Sequence, residues 1–196
     1  MSMRKWLKEK DSMQEEIIKL LLSTDRFGIE KLAKHMERMG FFQAPCSTSN
    51  HLNIPGGLAI HSMNVYNIMC QLNKSMKVDI DEESIIICAL LHDLGKMGDH
   101  GKQNYVENIL KSGERSESKP YITNPNFLYI PHEVRSVVIA QRYIILTEEE
   151  EHAIYYHNGK YTHTGYDLKE TPLQMLLHFA DLWASRFEEM KELPFE

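Results

Sequence analysis

The stretch that decides the fold is IIICALLHDLGK, residues 85–96, in which seven consecutive apolar residues run directly into a histidine and an aspartate. A segment that is apolar on nearly all sides predicts a central helix surrounded by others. A buried carboxylate beside it costs several kcal/mol unless it is paired or bound to a metal ion. His92 and Asp93 are therefore the first candidates for a functional site, with a structural pair between Asp93 and a neighbouring histidine or Lys96 as the alternative.

Helical spacing of apolar residues extends over most of the chain. It predicts helices over 13–22, 29–41, 58–76, from Asp81 to the glycines at 95 and 98, from Pro131 to 145, from a Thr147–Glu150 capping box to 158, and over 172–190. We predict an all-α fold, a helical bundle with the functional site at its centre. Residues 1–45 are expected to form a helical part that packs on a core of residues 46–196, as one compact domain.

The region from 99 to 130 breaks this regularity with two prolines and the polar run SGERSESK. Only 121–130 hints at a strand. Long irregular segments inside a compact domain are often lids over a site, so a mobile flap is expected, against the alternative of a solvated loop. Cationic and aromatic side chains on it are candidates to shape substrate choice, namely Lys102, Arg115, Lys119, Tyr105, Tyr121 and Tyr129.

Two more polar residues stand on apolar helix faces. His61 falls on the stripe that starts at Leu58, and Asp181 interrupts LLHFADLWASRF, residues 176–187. A core histidine and a helix-capping carboxylate are the ordinary explanations for each alone. Together with His92 and Asp93 they form the mixed nitrogen and oxygen set that divalent metals prefer, drawn from three helices.

Three segments carry a resemblance to a known family, GGLAIHSMNV (56–65), ALLHDLGKMG (89–98) and LHFADLWASRFE (177–188). Their order of H, then HD, then D resembles the HD superfamily of metal-dependent phosphohydrolases, and in particular small HD hydrolases of bacteria and phages. The resemblance covers roughly residues 50–190. It implies a helical fold, one or two divalent ions bound by His61, His92, Asp93 and Asp181, and hydrolysis of phosphate esters, mostly of nucleotides.

Two-metal members of that superfamily have further histidines, and His132 and His157 stand at comparable places. Tyr156 occupies the position where several of them have a second adjacent histidine, so the number of ions stays open. A surface histidine at 132 and a dipole-stabilised one at 157 are the alternatives. Mn²⁺, Fe²⁺, Co²⁺, Ni²⁺ and Zn²⁺ are not distinguished.

A metal site of this kind leaves room for water and a phosphate oxygen. Asp93 and Lys96 are the predicted catalytic residues, Asp93 by orienting or deprotonating water and Lys96 by pairing with the phosphate. Arg135 and Arg142 join Lys96 as predicted substrate-binding residues.

The predicted function is hydrolysis of nucleotide phosphate esters. The alternatives are a 3′-5′ exonuclease-like phosphodiesterase on single-stranded nucleic acid and a non-catalytic nucleotide sensor. A net charge of −6 argues against a polymer that needs a long basic track, so nucleic acid is the less favoured partner. No apolar run approaches the roughly 18 residues that span a bilayer, and no signal peptide is apparent, so a cytoplasmic protein without membrane partners is expected. A homo-oligomer stays open.

Overall fold

The structure, a computed structural model that describes residues 3–159 and 169–190, is built mainly of helices. For residues 3–11 only the helical backbone is described. The helices are α1 (Met3–Ser23), α2 (Ile29–Met39), α3 (Gly57–Met76), α4 (Glu82–Leu91), α5 (His132–Gln141), α6 (Glu148–Tyr155) and α7 (Pro172–Trp183). The predicted all-α fold class is confirmed. Within the described residues, no helix is long and apolar enough to cross a membrane.

Helix α4 is the centre of the bundle. Every residue from Ile85 to Leu91 is at most 3% exposed, and α1, α3, α6 and α7 all pack against this helix. Burying each of its large apolar side chains contributes about 1.5–3 kcal/mol. The helix begins at an Asp81 cap, whose side chain accepts from the Ser84 amide at 2.8 Å. It ends earlier than predicted, and a 3₁₀ turn (Leu94–Met97) follows after Asp93.

The N-terminal helices share the core of the rest of the chain. Ile17 and Leu21 of α1 and Leu32 and Met36 of α2 are fully buried in the same apolar cluster as α4. Helix α1 also begins well before the predicted residue 13. A boundary between residues 45 and 46 stays a prediction.

The segment predicted as an irregular flap contains a short hairpin. Strand β1 (Tyr105–Glu107) pairs antiparallel with β2 (Tyr121–Thr123), with Val106 opposite Ile122. Strands of three residues are too short to show alternation in the sequence, which is why only a hint of β2 was visible. The mobility of the segment stays a prediction.

A close approach to Gly95 positions α5, and a capping box starts α6. Gly95 lies so near α5 that a Cβ would be 2.9 Å from the Arg135 Cβ, and its amide donates to Ser136 Oγ at 2.8 Å. The predicted capping box starts α6, with Thr147 and Glu150 each bonding the other's backbone amide. Helix α7 ends before the predicted residue 190, because a π-helical turn (Ala184–Glu188) follows it.

Candidate metal centre

The six residues predicted as metal ligands come together in the middle of the bundle. Helix α3 supplies His61, the end of α4 supplies His92 and Asp93, and α7 supplies Asp181. His132 is the first residue of α5, and His157 lies just after α6. His61 Nε2 lies 3.1 Å from Asp181 Oδ1 and 3.3 Å from His92 Nε2, and His132 Nε2 lies 3.4 Å from His157 Nε2.

Asp93 joins two halves of this cluster through its two carboxylate oxygens. Oδ2 faces His92 and His61, at 3.4 and 3.6 Å from their Nε2 atoms. Oδ1 faces His132 and His157, at 3.2 and 3.6 Å. The Asp93 side chain is 1% exposed, and Oδ1 has no hydrogen-bond partner among the described residues. A buried carboxylate oxygen without a donor is costly, so the residues at this position fit a bound cation.

All four imidazoles present the same nitrogen to the cluster because the other nitrogen is held from behind. The Nδ1 atoms of His92 and His157 donate to the carbonyls of Ala89 and Ile154, at 2.9 and 2.7 Å. His61 Nδ1 donates to the Glu189 carboxylate at 2.9 Å.

His132 Nδ1 lies within ion-pair distance of a carboxylate, at 3.1 Å from Glu133 Oε2. Because carbonyl and carboxylate oxygens only accept, the Nδ1 atoms of His61, His92 and His157 each carry a proton, which leaves Nε2 as the nitrogen that can give a lone pair to a cation. Metal-binding histidines in proteins are oriented in this way.

The charges of the cluster suit ligands that must be deprotonated. Burial opposes ionisation of Asp93, but Lys96 and His92 outweigh it and hold its pKa well below the ordinary value. Burial likewise acts against Asp181, yet its hydrogen bond with His61 lowers its pKa. Burial and the neighbouring His92 lower the pKa of His157 to about 3, so its imidazole is neutral at pH 7.

His61 differs from His157 because it lies between carboxylates. Burial alone would lower its pKa, but interactions with Cys46, Asp181 and Glu189 raise the pKa well above the usual value. Without a cation, a second proton on His61 balances these carboxylates. A metal ion at Nε2 would replace that proton.

Lys96 borders the cluster. Its ammonium lies 2.6 Å from Asp93 Oδ2, with the side chain 14% exposed. Burial opposes the charge, but Asp93 raises the pKa of Lys96 well above its ordinary value, so the ammonium stays charged. The sequence analysis gave this pair as a structural alternative, and its carboxylate is the one that faces the four histidines.

The two arginines predicted to bind substrate make their contacts elsewhere. Arg142 binds both oxygens of Asp99 at 2.8 Å. The guanidinium of Arg135 lies 4.1 Å from the centre of the Phe127 ring and donates to the Leu128 carbonyl. The structure does not bring them into the donor cluster, and a role in substrate binding stays a prediction.

The six flap residues predicted to shape substrate choice lie in different surroundings. Tyr105 and Tyr121 line a cavity of about 170 Å³ that Lys96 also lines. Lys102 donates to the Asn126 carbonyl, and Arg115 lies over the Tyr121 ring at 4.6 Å. Tyr129 is 85% exposed. For Lys119 the described contacts are those of its backbone, with Asn108 and Ser116.

Sequence reasoning missed the residues behind His61. Glu189 holds its Nδ1, and Asn64 donates to the same carboxylate at 3.1 Å. His51 Nε2 lies 3.7 Å from that carboxylate and 3.2 Å from Cys46 Sγ. Of these residues, Asn64 is the one that helical spacing could have indicated, because it lies three residues after His61 on the same face of α3.

Residues 58–185 match the family described as HD domain. The chain belongs to the HD domain family. The match spans His61, the His92–Asp93 pair and Asp181, and it places the chain in a superfamily of metal-dependent phosphohydrolases. No curated protein and no solved structure gives a significant match.

The HD domain of this chain offers groups that could hold a metal ion. Ligand atoms of His61, His92 and Asp181 lie within 4.8 Å of one another, as do those of His92, Asp93 and His157. Both groups are made of imidazole nitrogen and carboxylate oxygen, which suits divalent transition metals.

Proposed function

We propose that this protein is a divalent-metal-dependent phosphohydrolase that acts on phosphate esters of nucleotides. The observation that carries the proposal is the convergence of four imidazole nitrogens and two carboxylates in the HD domain, around a buried Asp93 oxygen that finds no donor among the residues the structure describes. If the cluster were only a set of structural ion pairs, this oxygen would accept a hydrogen bond from a neighbouring donor.

The geometry supports two positions for cations. His61, His92, Asp93 and Asp181 would hold one ion, and Asp93, His132 and His157 would hold the second. Asp93 would then bridge the two through its separate oxygens. Mn²⁺, Fe²⁺, Co²⁺, Ni²⁺ and Zn²⁺ all fit this donor set.

Bound divalent ions of this kind neutralise charge on a phosphoryl group and lower the pKa of water toward neutrality. Lys96 adds a fixed positive charge at the edge of the same cluster, where it would pair with a phosphate oxygen. The lowered pKa of Asp93 makes it a weak proton acceptor, so its expected contribution is to orient the attacking water.

A compact substrate is supported by the cavity beside Lys96. Its lining residues include Tyr105 and Tyr121 together with Gln43 and Gln103. Aromatic rings stack on nucleobases, and amides hydrogen-bond to their edges. A nucleotide with its phosphate at Lys96 and its base among these residues uses both features.

The test is phosphate release from a panel of nucleoside monophosphates, polyphosphates and cyclic nucleotides, run beside a single-stranded oligonucleotide ladder. Each ion of the set is added to metal-stripped protein. We expect activity on at least one nucleotide, and its loss in Asp93→Asn but not in His100→Ala, whose histidine is 72% exposed. Stepwise shortening of oligonucleotides with no activity on nucleotides would establish the exonuclease instead. Tight nucleotide binding without turnover would establish the sensor.

A further inference from the structure

The Glu189 carboxylate lies directly behind His61. Its two oxygens are 2.9 and 3.1 Å from His61 Nδ1, and Asn64 donates to one of them at 3.1 Å. The Glu189 side chain is 1% exposed. The residue lies beyond the 58–185 match to the HD domain, so it is a feature of this chain that the family match does not contain.

The π-helical turn explains why Glu189 reaches His61. In a continuous α-helix, Glu188 would lie about 20° around the axis from Asp181 and Glu189 about 80°. The Glu189 amide donates instead to the carbonyl five residues back, that of Ala184, at 3.0 Å. One residue is thereby inserted, and Glu189 takes the angular position that Glu188 would have had. Asp181 and Glu189 then lie on one face of the same continuous helical segment.

This arrangement holds the His61 ring from both sides. Asp181 contacts Nε2 at 3.1 Å, and Glu189 contacts Nδ1 at 2.9 Å. His92 and His157 are held at Nδ1 by carbonyls of their own helices, whereas the described partner of His61 Nδ1 is a full negative charge. A carboxylate behind an imidazole fixes its tautomer and makes the other nitrogen a stronger donor.

We infer that Glu189 is a positioning residue for His61, which sets how tightly this half of the centre binds a divalent cation. The inference rests on the proposed function only in that His61 binds metal. The loss of such a partner typically costs 10–100-fold in metal affinity. Gln at this position keeps an acceptor for Nδ1 and loses the charge, so its effect separates charge from orientation.

The experiment measures Co²⁺ affinity of metal-stripped protein by competition with a chromogenic chelator, together with the visible spectrum of bound Co²⁺. The variants are Glu189→Ala, Glu189→Gln and Glu189→Asp. Glu188→Gln is the matched control, because it removes the same charge one residue away, from an exposed side chain that bonds Trp183. Circular dichroism of the metal-free proteins checks the fold.

We expect Glu189→Ala to weaken the affinity of one Co²⁺ by 10–100-fold and to change its spectrum. Glu189→Gln should fall between Ala and wild type, Glu189→Asp should recover part of the loss, and Glu188→Gln should match wild type. Wild-type affinity and spectrum in a folded Glu189→Gln and Glu189→Ala would overturn the inference and leave the proposed function standing. If Glu189→Ala does not fold, the near-isosteric Gln variant decides alone. Wild-type protein that binds no Co²⁺ or other ion of the set would overturn both.

Discussion

Asp93 is the residue on which most of the proposed chemistry depends, because it faces His61 and His92 with one oxygen and His132 and His157 with the other. Asp93→Asn keeps the shape and removes the charge. We expect it to lose bound metal and to lower kcat by at least about 10³-fold, since both proposed cation positions share this carboxylate. Elemental analysis and steady-state kinetics measure the two effects. Full metal content in the folded variant would contradict the assignment.

His132 and His157 decide whether the centre holds one ion or two. Both face Asp93 Oδ1, away from the half that contains His61. We expect His132→Ala and His157→Ala each to reduce the stoichiometry from two ions toward one, without loss of helical signal. Metal content per protein is the measurement, and His100→Ala is the control with unchanged content. A wild type with a single ion would return both histidines to substrate contact or to structure.

At the scale of secondary-structure elements, Glu150 connects two helices, α4 and α6, with the loop between α1 and α2. Its carboxylate, fully buried in α6, binds Arg26 at 2.6 and 2.7 Å and Ser84 of α4 at 2.8 Å. We expect Glu150→Gln to lower the unfolding free energy by about 3 kcal/mol, because it leaves Arg26 without its main partner. Glu149→Gln, an exposed change in the same first turn, should stay within about 0.5 kcal/mol. Urea denaturation gives both values.

The same carboxylate gives a pH dependence. Burial opposes its ionisation, but Arg26, Thr147 and Ser84 lower its pKa below the usual value near 4.5. A group whose folded pKa is lowered stabilises the protein above its unfolded pKa, and this contribution disappears as pH falls through the folded value. The wild type should therefore lose more stability below pH 4.5 than Glu150→Gln. Equal acid profiles would show that the network contributes nothing through charge.

The β1–β2 hairpin allows a test of whether the substrate carries a nucleobase. Tyr105 lines the cavity beside Lys96, whereas Tyr129 of the same flap is 85% exposed. If a nucleobase stacks in the cavity, Tyr105→Ala should lower kcat/KM for nucleotides by roughly 5–150-fold, which corresponds to about 1–3 kcal/mol of stacking. Tyr129→Ala and the base-free substrate p-nitrophenyl phosphate are the controls. An equal loss on both substrates would place the role of Tyr105 in the chemistry or the fold.

For the whole molecule, the bound ion and the fold should be coupled. The donors come from α3, α4, α5, α6 and α7 or their ends, so a cation would connect most of the bundle. At about 100 times the dissociation constant, binding adds about 2.7 kcal/mol. For a chain of this size that is a rise in Tm of roughly 5–10 °C. Differential scanning fluorimetry with Mn²⁺ or Co²⁺ against a chelator measures it, and Asp93→Asn should show no shift. A wild-type Tm that ignores both additions would oppose a metal centre.

Much of this structure could be predicted from the sequence, through helical periodicity and local capping signals. The apolar run before His92 predicted the buried central helix, and Thr147 with Glu150 predicted a capping box that the structure shows. The H, HD and D positions led to the HD family, which the match over 58–185 confirms. The helix and the capping box are local features, because each depends on residues a few positions apart on one helix.

Only the tertiary structure decided which residues contact one another across the chain. The three-residue strands of the flap are too short to leave a pattern, and their pairing depends on contacts far apart in the chain. Glu189 was hidden for a different reason. Ideal helical spacing places Glu188, not Glu189, on the face of Asp181, and the π-helical turn that exchanges them is stabilised by packing and by the bond to His61. The sequence by itself determined which residues are the candidates for metal binding, and the fold decided which groups hold them in place, because orientation depends on neighbours that helical periodicity does not relate.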